Sequence, residues 1–324
     1  MSHISLLGKK IDGAQNILLI NHIRMDPDAF GSLSGFYQIL KKLGKNVLAI
    51  NDEQTPDNFG FLGQNHIIDS SADIKTFNPE LIISFDAASI DQLGKSYTSN
   101  KSIFDSTDFF VIDHHLSNPA FGQYNIIKTD YSSTCEIVYE IIEELNFIQY
   151  MDKSIATCIF TGMITDTNIF YNQNTTPNTH RVAAGLMNHG ADFRAPIFEF
   201  YKKKSFSQSK LWGEILRELQ QVEINGNLIT YALVKPEHFD NTGTTDEDIS
   251  GLINEFLSNM ENSDVCFLLY PLKDGLIKAS FRSKEMDVSK ICQSYGGGGH
   301  KLAAGCSVKM EIGDFEKAIL GNFS

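Results

Sequence analysis

Two short apolar runs in the first half of this chain each end abruptly in a cluster of histidine and aspartate. Residues 17–20 (ILLI) lead into HIRMDPD at 22–28, and residues 109–112 (FFVI) lead into DHH at 113–115. Runs of this length are typical of buried strands in a parallel sheet, and α/β proteins build their sites where the carboxyl ends of such strands meet. The pattern therefore predicts a parallel sheet with chemically active loops along one edge.

Length and composition favour a two-domain protein without a membrane span. The chain has 324 residues, 42% of them hydrophobic and 21% charged, which is ordinary for a globular protein and long enough for two cores. No apolar run reaches the length of a bilayer span, and residues 1–10 lack the pattern of a signal peptide. The five cysteines are scattered without a C-x-x-C pair, which argues against a disulfide framework or a thiolate zinc site. We expect a cytoplasmic protein.

The charge balance restricts the partners. Against 27 Lys and Arg stand 40 Asp and Glu, a formal net charge of −13. Proteins that follow long nucleic acids present basic stripes, because each neutralised phosphate releases counterions. The only basic run here is 202–204 (KKK). We expect short single-stranded RNA or nucleotides as substrates, with no long duplex and no membrane as partner; a homodimer is left open.

The order of the predicted elements suggests a doubly wound sheet in a first domain, residues 1–190. Strands alternate with helices there, the arrangement of a parallel sheet covered on both faces. The predicted strands are 17–20, 47–50, 81–85 and 109–112, and the predicted helices are 29–43, 134–145, 153–162 and 177–188.

A helical linker, 191–221, is predicted to lead into a smaller α+β domain, 222–324. Asp274-Gly275 between two apolar runs indicates a hairpin. Four glycines, 296–299, precede His300. The predicted strands are 228–234, 265–270 and 276–281, and the predicted helices are 246–260 and 288–295.

Six residues of the first domain lie at or just beyond the ends of apolar elements: His22, Asp26, Asp28, Asp86, His114 and Asp166. Acids and imidazoles that converge without basic partners repel one another and lose hydration, and divalent cations are the simplest compensation. Six ligands exceed what one open catalytic centre uses. They suit two cations about 3.5–4 Å apart that share one bridging carboxylate. Oxygen and imidazole ligands favour Mn²⁺ or Mg²⁺. The alternative is a polar sheet edge without metal.

Taken in order, these motifs resemble those of the DHH phosphoesterase superfamily. The matching segments are His-x3-Asp-x-Asp at 22–28, Asp86 at a strand end, Asp-His-His at 113–115 and Thr-Asp-Thr at 165–167. Phe-Arg-Ser at 281–283 and the glycines before His300 resemble the DHH-associated domain. Size and layout are similar to the NrnA-like oligoribonucleases, which also dephosphorylate 3′-phosphoadenosine 5′-phosphate (pAp). The resemblance implies a two-metal phosphoesterase that releases mononucleotides.

The resemblance also implies a role for each matching residue. Asp113 would orient an imidazole, and His115 would face the scissile phosphate or the leaving oxygen. Mn²⁺ is expected ahead of Mg²⁺ or Co²⁺. One metal would be held by His22, Asp26 and Asp86, and the other by Asp28, Asp86, His114 and Asp166. The substrate's far end would be bound by Arg282, Ser283, Gly298, Gly299 and His300.

Physical chemistry supports the last assignment independently, because a glycine run lets amides converge on an anion and arginine offers a bidentate fork. One departure from the family pattern is Pro27, which stands where relatives commonly carry glycine in Pro-Asp-Gly-Asp. Proline removes an amide donor and fixes φ near −65°. The spacing of the ligands survives, but the geometry of the loop is in question.

Three other functions stay open at this level. A cyclic-dinucleotide or linear-dinucleotide phosphodiesterase would use the same metal site. A manganese-dependent pyrophosphatase shares the motifs of the first domain, although the Gly-run-His ending argues against it. The non-enzymatic alternative is a nucleotide-binding module. If the chain is a phosphoesterase, we expect the second domain to limit the length of its substrates.

Overall fold

The computed structural model describes residues 2–64 and 67–323. The chain divides into two compact units after Lys202. This division falls inside the predicted linker 191–221, which holds two helices and the first two residues of a strand. The predicted domain boundaries themselves stay a prediction.

The first unit alternates strands with helices, as the sequence predicts. Its strands are β1 (Asn16–Asn21), β2 (Asn46–Ile50), β3 (Leu81–Phe85), β4 (Asp108–Asp113) and β5 (Tyr124–Ile127). Its helices are α1 (His3–Gly13), α2 (Pro27–Lys42), α3 (Ile74–Phe77), α4 (Gly94–Thr98), α5 (Lys101–Ser106), α6 (Thr134–Glu144), α7 (Lys153–Asp166), α8 (Pro177–Asn188) and α9 (Arg194–Ile197). Short 3₁₀ turns at Asp57–Leu62, Ile90–Leu93 and Ile148–Tyr150 and a π-helical turn at Phe198–Lys202 complete it.

These five strands form one parallel sheet in the order β2-β1-β3-β4-β5. Alternate side chains enter different cores: Ile17 and Leu19 pack on one face, Leu18 and Ile20 on the other. Continuous apolar runs such as ILLI arise because both faces of a parallel sheet are covered. The doubly wound fold is confirmed. The strand order changes direction between β1 and β3, because β2 lies on one side of β1 and β3 to β5 lie on the other. Sheets of this kind bind ligands at such a position.

The second unit is built on a mixed sheet. Its strands are β6 (Gln220–Ile224), β7 (Asn227–Leu233), β8 (Val265–Pro271), β9 (Ile277–Ser283), β10 (Gly298–His300) and β11 (Ala303–Val308), in the order β10-β11-β9-β8-β7-β6. Only the β7–β8 pair in this sheet is parallel within the residues described. The helices are α10 (Phe206–Arg217), α11 (Pro236–Thr242), α12 (Leu252–Glu255), α13 (Val288–Ser294) and α14 (Ile312–Gly321). The predicted hairpin joins β8 to β9, with Gly275 at φ 83°.

Two differences from the sequence prediction have local causes. The predicted helix 246–260 is wrong: a 3₁₀ turn at Asp246–Ile249 ends before Gly251, whose φ of 92° separates it from α12. The sequence also does not predict β10 and β11, because glycine and alanine have low strand propensity. Across residues 2–64 and 67–323, no helix combines the length and apolar character needed to cross a bilayer.

Candidate metal centre

Three adjacent strands deliver the candidate ligands to one edge of the sheet. In the register of the sheet, Asn21 of β1 lies beside Phe85 of β3, and Phe85 lies beside Ile112 of β4. The residues that follow each of these three positions therefore emerge at the same level. They are His22, Asp86 and Asp113, and His114 comes one residue later. Asp26 and Asp28 arrive from the start of α2, and Asp166 is the last residue of α7.

All six predicted metal ligands are brought together, in overlapping groups. In each group, one ligand atom per residue lies within 4.8 Å of the others. The groups are His22 with Asp26 and Asp86, Asp28 with His114 and Asp166, and Asp86 with His114 and His115. The first group is the set that the family resemblance implies for one metal, and the second contains three of the four residues that it implies for the other, without Asp86. Their role as ligands stays a prediction.

Asp86 lies between the two histidines of the cluster. Its Oδ2 is 3.7 Å from His22 Nε2, and its Oδ1 is 3.7 Å from His114 Nε2. Its side chain is buried, and its backbone has a φ of 56°, in the left-handed region that non-glycine residues rarely adopt. Backbone strain of this kind persists where the surrounding structure imposes it, commonly at functional sites. The geometry gives Asp86 one oxygen for each side of the cluster.

His22 has the tautomer that a metal ligand needs. Its Nδ1 is 2.7 Å from the carbonyl oxygen of Ile23. Because a carbonyl only accepts, Nδ1 carries the hydrogen and donates it. Nε2 then faces Asp26, at 3.7 Å, and Asp86, and it is the nitrogen that a cation would bind in place of a proton. Hydrogen bonds from the second nitrogen commonly orient metal-binding histidines in this way.

Asp28 is fully buried against the first turn of α6. Its Oδ2 accepts from the amide of Thr134 at 2.7 Å, and its Oδ1 accepts from the amide of Cys135 at 2.9 Å. A helix N-terminus carries unpaired N–H groups and a partial positive charge, which stabilise a carboxylate there. Each oxygen still has a second lone pair available for a cation.

The electrostatics of the metal-free cluster match a site built for cations. Burial and the charges of Asp86 and Asp26 raise the pKa of Asp28, and burial and the charges of Asp28 and Asp86 raise the pKa of Asp166. Burial lowers the pKa of His22, but hydrogen bonds with Asp26 and Asp86 outweigh it and raise that pKa to about 11. These three shifts each retain a proton where positive charge is missing. Oxygen and imidazole donors with this deficit fit divalent cations.

Asp113 and His115, the predicted catalytic pair, are hydrogen-bonded to each other. Asp113 is buried, and its Oδ1 lies 2.8 Å from His115 Nδ1. Asn118 holds the other oxygen at 2.6 Å through its Nδ2. The hydrogen bond to Asp113 raises the pKa of His115 to about 9. The imidazole that Asp113 orients is therefore that of His115.

Pro27 leaves the ligand loop intact. It occupies the first position of α2, where an amide has no partner within the helix and proline is well tolerated. Asp26 caps this helix, and its Oδ1 accepts from the amides of Asp28 and Ala29 at 3.0 and 2.9 Å. The departure from glycine at this position therefore costs no hydrogen bond within α2.

In the second unit, Arg282 and His300 project from the same face of the sheet. Arg282 of β9 pairs with Ala303 of β11, which pairs with His300 of β10. Residues directly opposite in neighbouring strands share a face, and two strand spacings separate these residues by about 10 Å. The small residues Ala303 and Gly305 leave this face open between them.

Among the described residues, the Arg282 guanidinium forms hydrogen bonds only with neutral groups. Nε donates to Asn254 Oδ1 at 2.8 Å and Nη1 donates to the carbonyl of Phe281 at 2.6 Å. Burial lowers the pKa of Arg282. A partly buried cation without a carboxylate partner is a favourable place for an anionic ligand.

The other predicted substrate-binding residues lie close by in the chain. Gly298 and Gly299 belong to β10, the edge strand, in which alternate amides point away from the neighbouring strand. Ser283 Oγ accepts from the amides of Glu285 and Met286, so this hydroxyl oxygen stabilises the turn after β9. The substrate-binding roles of these residues stay predictions.

Sequence reasoning missed several residues that contact the candidate ligands, among them Thr134 and Gly162. The hydroxyl of Thr134 donates to Asp86 Oδ1 at 2.9 Å. Gly162 of α7 lies so close to α2 that a Cβ there would be 2.6 Å from Asp28 Oδ1. The sequence carries a faint signal for the first, since Ser133 and Glu136 have the spacing of a helix cap. Nothing in the sequence indicates that Gly162 faces a ligand.

Comparison with known proteins identifies the family of this chain. The DHH family N-terminal domain matches residues 16–163, and the DHHA1 domain matches residues 225–321. The chain belongs to the DHH family and is a phosphoesterase, that is, an enzyme that hydrolyses phosphate esters.

Similar proteins extend over nearly the whole chain. The bifunctional oligoribonuclease and PAP phosphatase NrnA of Bacillus subtilis is 28% identical over 297 residues, 90% of this chain and 89% of that protein. The protein of the same name from Thermus thermophilus is 28% identical over 305 residues, 93% of this chain and 86% of that protein. An exopolyphosphatase-related protein from Bacteroides fragilis has a TM-score of 0.83 at 23% identity, covering 98% of this chain and 96% of that one. This last likeness shows the fold.

Proposed function

We propose that this phosphoesterase hydrolyses short oligoribonucleotides and pAp to mononucleotides, using two divalent cations, with Mn²⁺ as the preferred metal. The observation that carries the proposal is Asp86, whose two oxygens each face a different histidine of the cluster. The two NrnA relatives are named for both activities, and they align along almost the entire chain. All five cysteines are free thiols, which fits our proposal that the enzyme works in the reducing cytoplasm.

In this proposal, His22, Asp26 and Asp86 hold one cation, and Asp28, Asp86, His114 and Asp166 hold the other. Cations bound there supply Lewis-acid charge for hydrolysis of a phosphoester. Among the described residues, the ion-pair partners of the Asp26, Asp86 and Asp166 carboxylates are imidazoles. The chain therefore relies on cations to neutralise the carboxylates before an anionic substrate can approach.

His115 protonates the leaving oxygen. Asp113 accepts the Nδ1 hydrogen, which leaves Nε2 as the nitrogen that can exchange a proton with substrate. With its pKa raised to about 9, the imidazole is protonated at neutral pH and can act as the acid. Buried Asp113 holds the ring in this orientation and stabilises its positive charge.

The second unit binds the far end of the substrate. Arg282 of β9 offers a guanidinium without an acidic partner among the described residues, and Gly298, Gly299 and His300 lie on β10, two strands away in the same sheet. Phosphate groups suit these donors. Because these donors are few, the additional phosphates of a longer strand find no further partners among them. We therefore propose a preference for dinucleotides and pAp over long strands.

The test is a product analysis with purified, chelator-treated protein. RNAs from 2-mer to 24-mer, pAp, pGpG, cyclic di-AMP and pyrophosphate are each incubated with Mn²⁺, Mg²⁺ or Co²⁺ and without metal. We expect mononucleotides from the shortest RNAs, adenosine monophosphate from pAp, and the highest rates with Mn²⁺. Preferential cleavage of cyclic di-AMP, of pyrophosphate or of the longest RNA would contradict the proposed substrate class. Activity without metal would contradict the proposed centre.

A further inference from the structure

The first turn of α6 contacts two candidate ligands of different groups through one residue. Thr134 donates its hydroxyl to Asp86 Oδ1 at 2.9 Å and its amide to Asp28 Oδ2 at 2.7 Å. Asp86 belongs to the group with His22, and Asp28 to the group with His114. Thr134 is fully buried, so neither hydrogen bond competes with bulk water.

Thr134 is itself held in place by contacts that do not involve the ligands. Glu136, two residues further along, is buried and accepts from the amide of Ser132 at 2.9 Å and from Thr179 Oγ1 at 3.1 Å. Asn174 Nδ2 donates to the carbonyl of Ser132 at 2.9 Å. These bonds anchor the turn to α8 and to the segment before it. The position of the two Thr134 donors therefore does not depend on the carboxylates that accept from them.

We propose that Thr134 is a positioning residue of the metal centre, which orients Asp86 and Asp28 so that each presents an oxygen to its group of ligands. The inference rests on the proposed two-cation site and extends it to a residue outside the ligand set. Without the hydroxyl, Asp86 loses its only described side-chain hydrogen-bond donor other than the histidines. Its carboxylate can then rotate away from the orientation in which one oxygen faces His22 and the other faces His114.

Two effects of removing the hydroxyl oppose each other. A donor on Asp86 Oδ1 withdraws electron density, so its loss makes this oxygen a stronger ligand. The same loss removes the orientation of a carboxylate that must face two groups at once. Orientation prevails, because outer hydrogen-bond partners of metal ligands typically contribute about 10–100-fold to metal affinity.

The test compares three variants with the natural chain. Thr134→Val keeps the shape and the backbone amide but removes the hydroxyl, and Thr134→Ser retains the hydroxyl. Thr161→Val is the matched control, because Thr161 is equally buried and its hydroxyl donates to a helix carbonyl, that of Thr157, at 2.7 Å. Free Mn²⁺ is counted by electron paramagnetic resonance during titration of each metal-free protein, and urea unfolding of the same samples verifies the fold.

We expect Mn²⁺ affinity to fall about 10–100-fold in Thr134→Val, to stay within about threefold in Thr134→Ser, and to be unchanged in Thr161→Val. On short RNA at saturating Mn²⁺, Thr134→Val should lower kcat and leave KM unchanged. A Thr134→Val protein that binds Mn²⁺ as tightly as the natural chain would overturn this inference and leave the proposed activity intact. If Thr134→Val binds Mn²⁺ more weakly but the natural chain hydrolyses neither RNA nor pAp, the inference is supported and the proposed substrates are refuted. A natural chain that binds no Mn²⁺ would overturn both.

Discussion

The metal cluster of the first unit and the Arg282 face of the second unit use polar side chains in different ways. In the cluster, Asp28, Asp86 and Asp113 are buried, and each accepts hydrogen bonds from the surrounding structure. On the face, Arg282 is partly buried and His300 is exposed. Chemistry needs groups held within a fraction of an ångström, whereas binding of a substrate end tolerates adjustment. We therefore expect changes in the cluster to affect kcat and metal content, and changes on the face to affect KM.

The largest effect should come from Asp86. Replacing it by asparagine keeps the volume but removes the charge and one of the two oxygens that face His22 and His114. We expect kcat on short RNA to fall at least about a hundredfold, with loss of bound Mn²⁺ measured by elemental analysis. Asp69→Asn, a change to an acid outside every ligand group, is the control. If Asp86→Asn retained both activity and metal, the expectation that changes in the cluster affect kcat and metal content would be wrong.

Arg282→Ala should act on substrate rather than on metal. Loss of charge-assisted hydrogen bonds corresponds to about 10–100-fold in kcat/KM on dinucleotides, mostly through KM. Turnover of bis-p-nitrophenyl phosphate should change less than about twofold. Lys273→Ala, which removes an exposed cation of the same unit, should change neither. Equal losses on both substrates would mean that Arg282 supports the fold or the chemistry and not the binding of a substrate end.

Gly162→Ala should weaken metal binding although alanine favours helices. A Cβ at this position would lie 2.6 Å from Asp28 Oδ1 and 2.7 Å from Asp28 Cα, so the carboxylate must shift. We expect Mn²⁺ affinity to fall about tenfold. Gly213→Ala in α10 is the matched control, since nothing lies within 4 Å of its added Cβ. That protein should be more stable by about 1 kcal/mol with unchanged metal affinity, measured by urea unfolding and Mn²⁺ titration. Equal metal affinities in the two variants would show that α7 tolerates a side chain against Asp28.

The smallest effect is a pH dependence of the metal-free protein. The folded-state pKa of His115 is raised from 6.5 to about 9 by its hydrogen bond to Asp113. The stability contributed by this pair is therefore fully present below pH 6.5 and is lost as the pH rises through 9. His22 contributes with the same sign at higher pH, so the relevant quantity is the difference between proteins. After metal is removed with a chelator, the melting temperature of the natural chain should fall more steeply from pH 6.5 to 9 than that of His115→Gln or Asp113→Asn. Parallel curves of melting temperature against pH would contradict a stabilising contribution from this pair.

Much of the fold, and the residues that converge at the edge of the sheet, could be predicted from the sequence for one physical reason. Parallel strands buried on both faces must be apolar throughout, so the change from ILLI or FFVI to His and Asp marks where each strand leaves the core. The same reasoning fails at β10 and at 246–260, where glycines suppress strand propensity or interrupt helical periodicity. It also leaves Asp113 without an identified partner, because a hydrogen bond to His115 depends on side-chain geometry.

The amino-acid order by itself determined which residues could serve a metal centre, since periodicity and strand ends are local properties of a chain. Only the tertiary structure decided that Asp86 lies between His22 and His114, that Thr134 reaches Asp86 and Asp28 together, and that Gly162 leaves space beside Asp28. These relations join residues separated by up to 134 positions in the chain. They depend on how α2, α6 and α7 pack against one another and on strand register, and local sequence patterns carry no information about either.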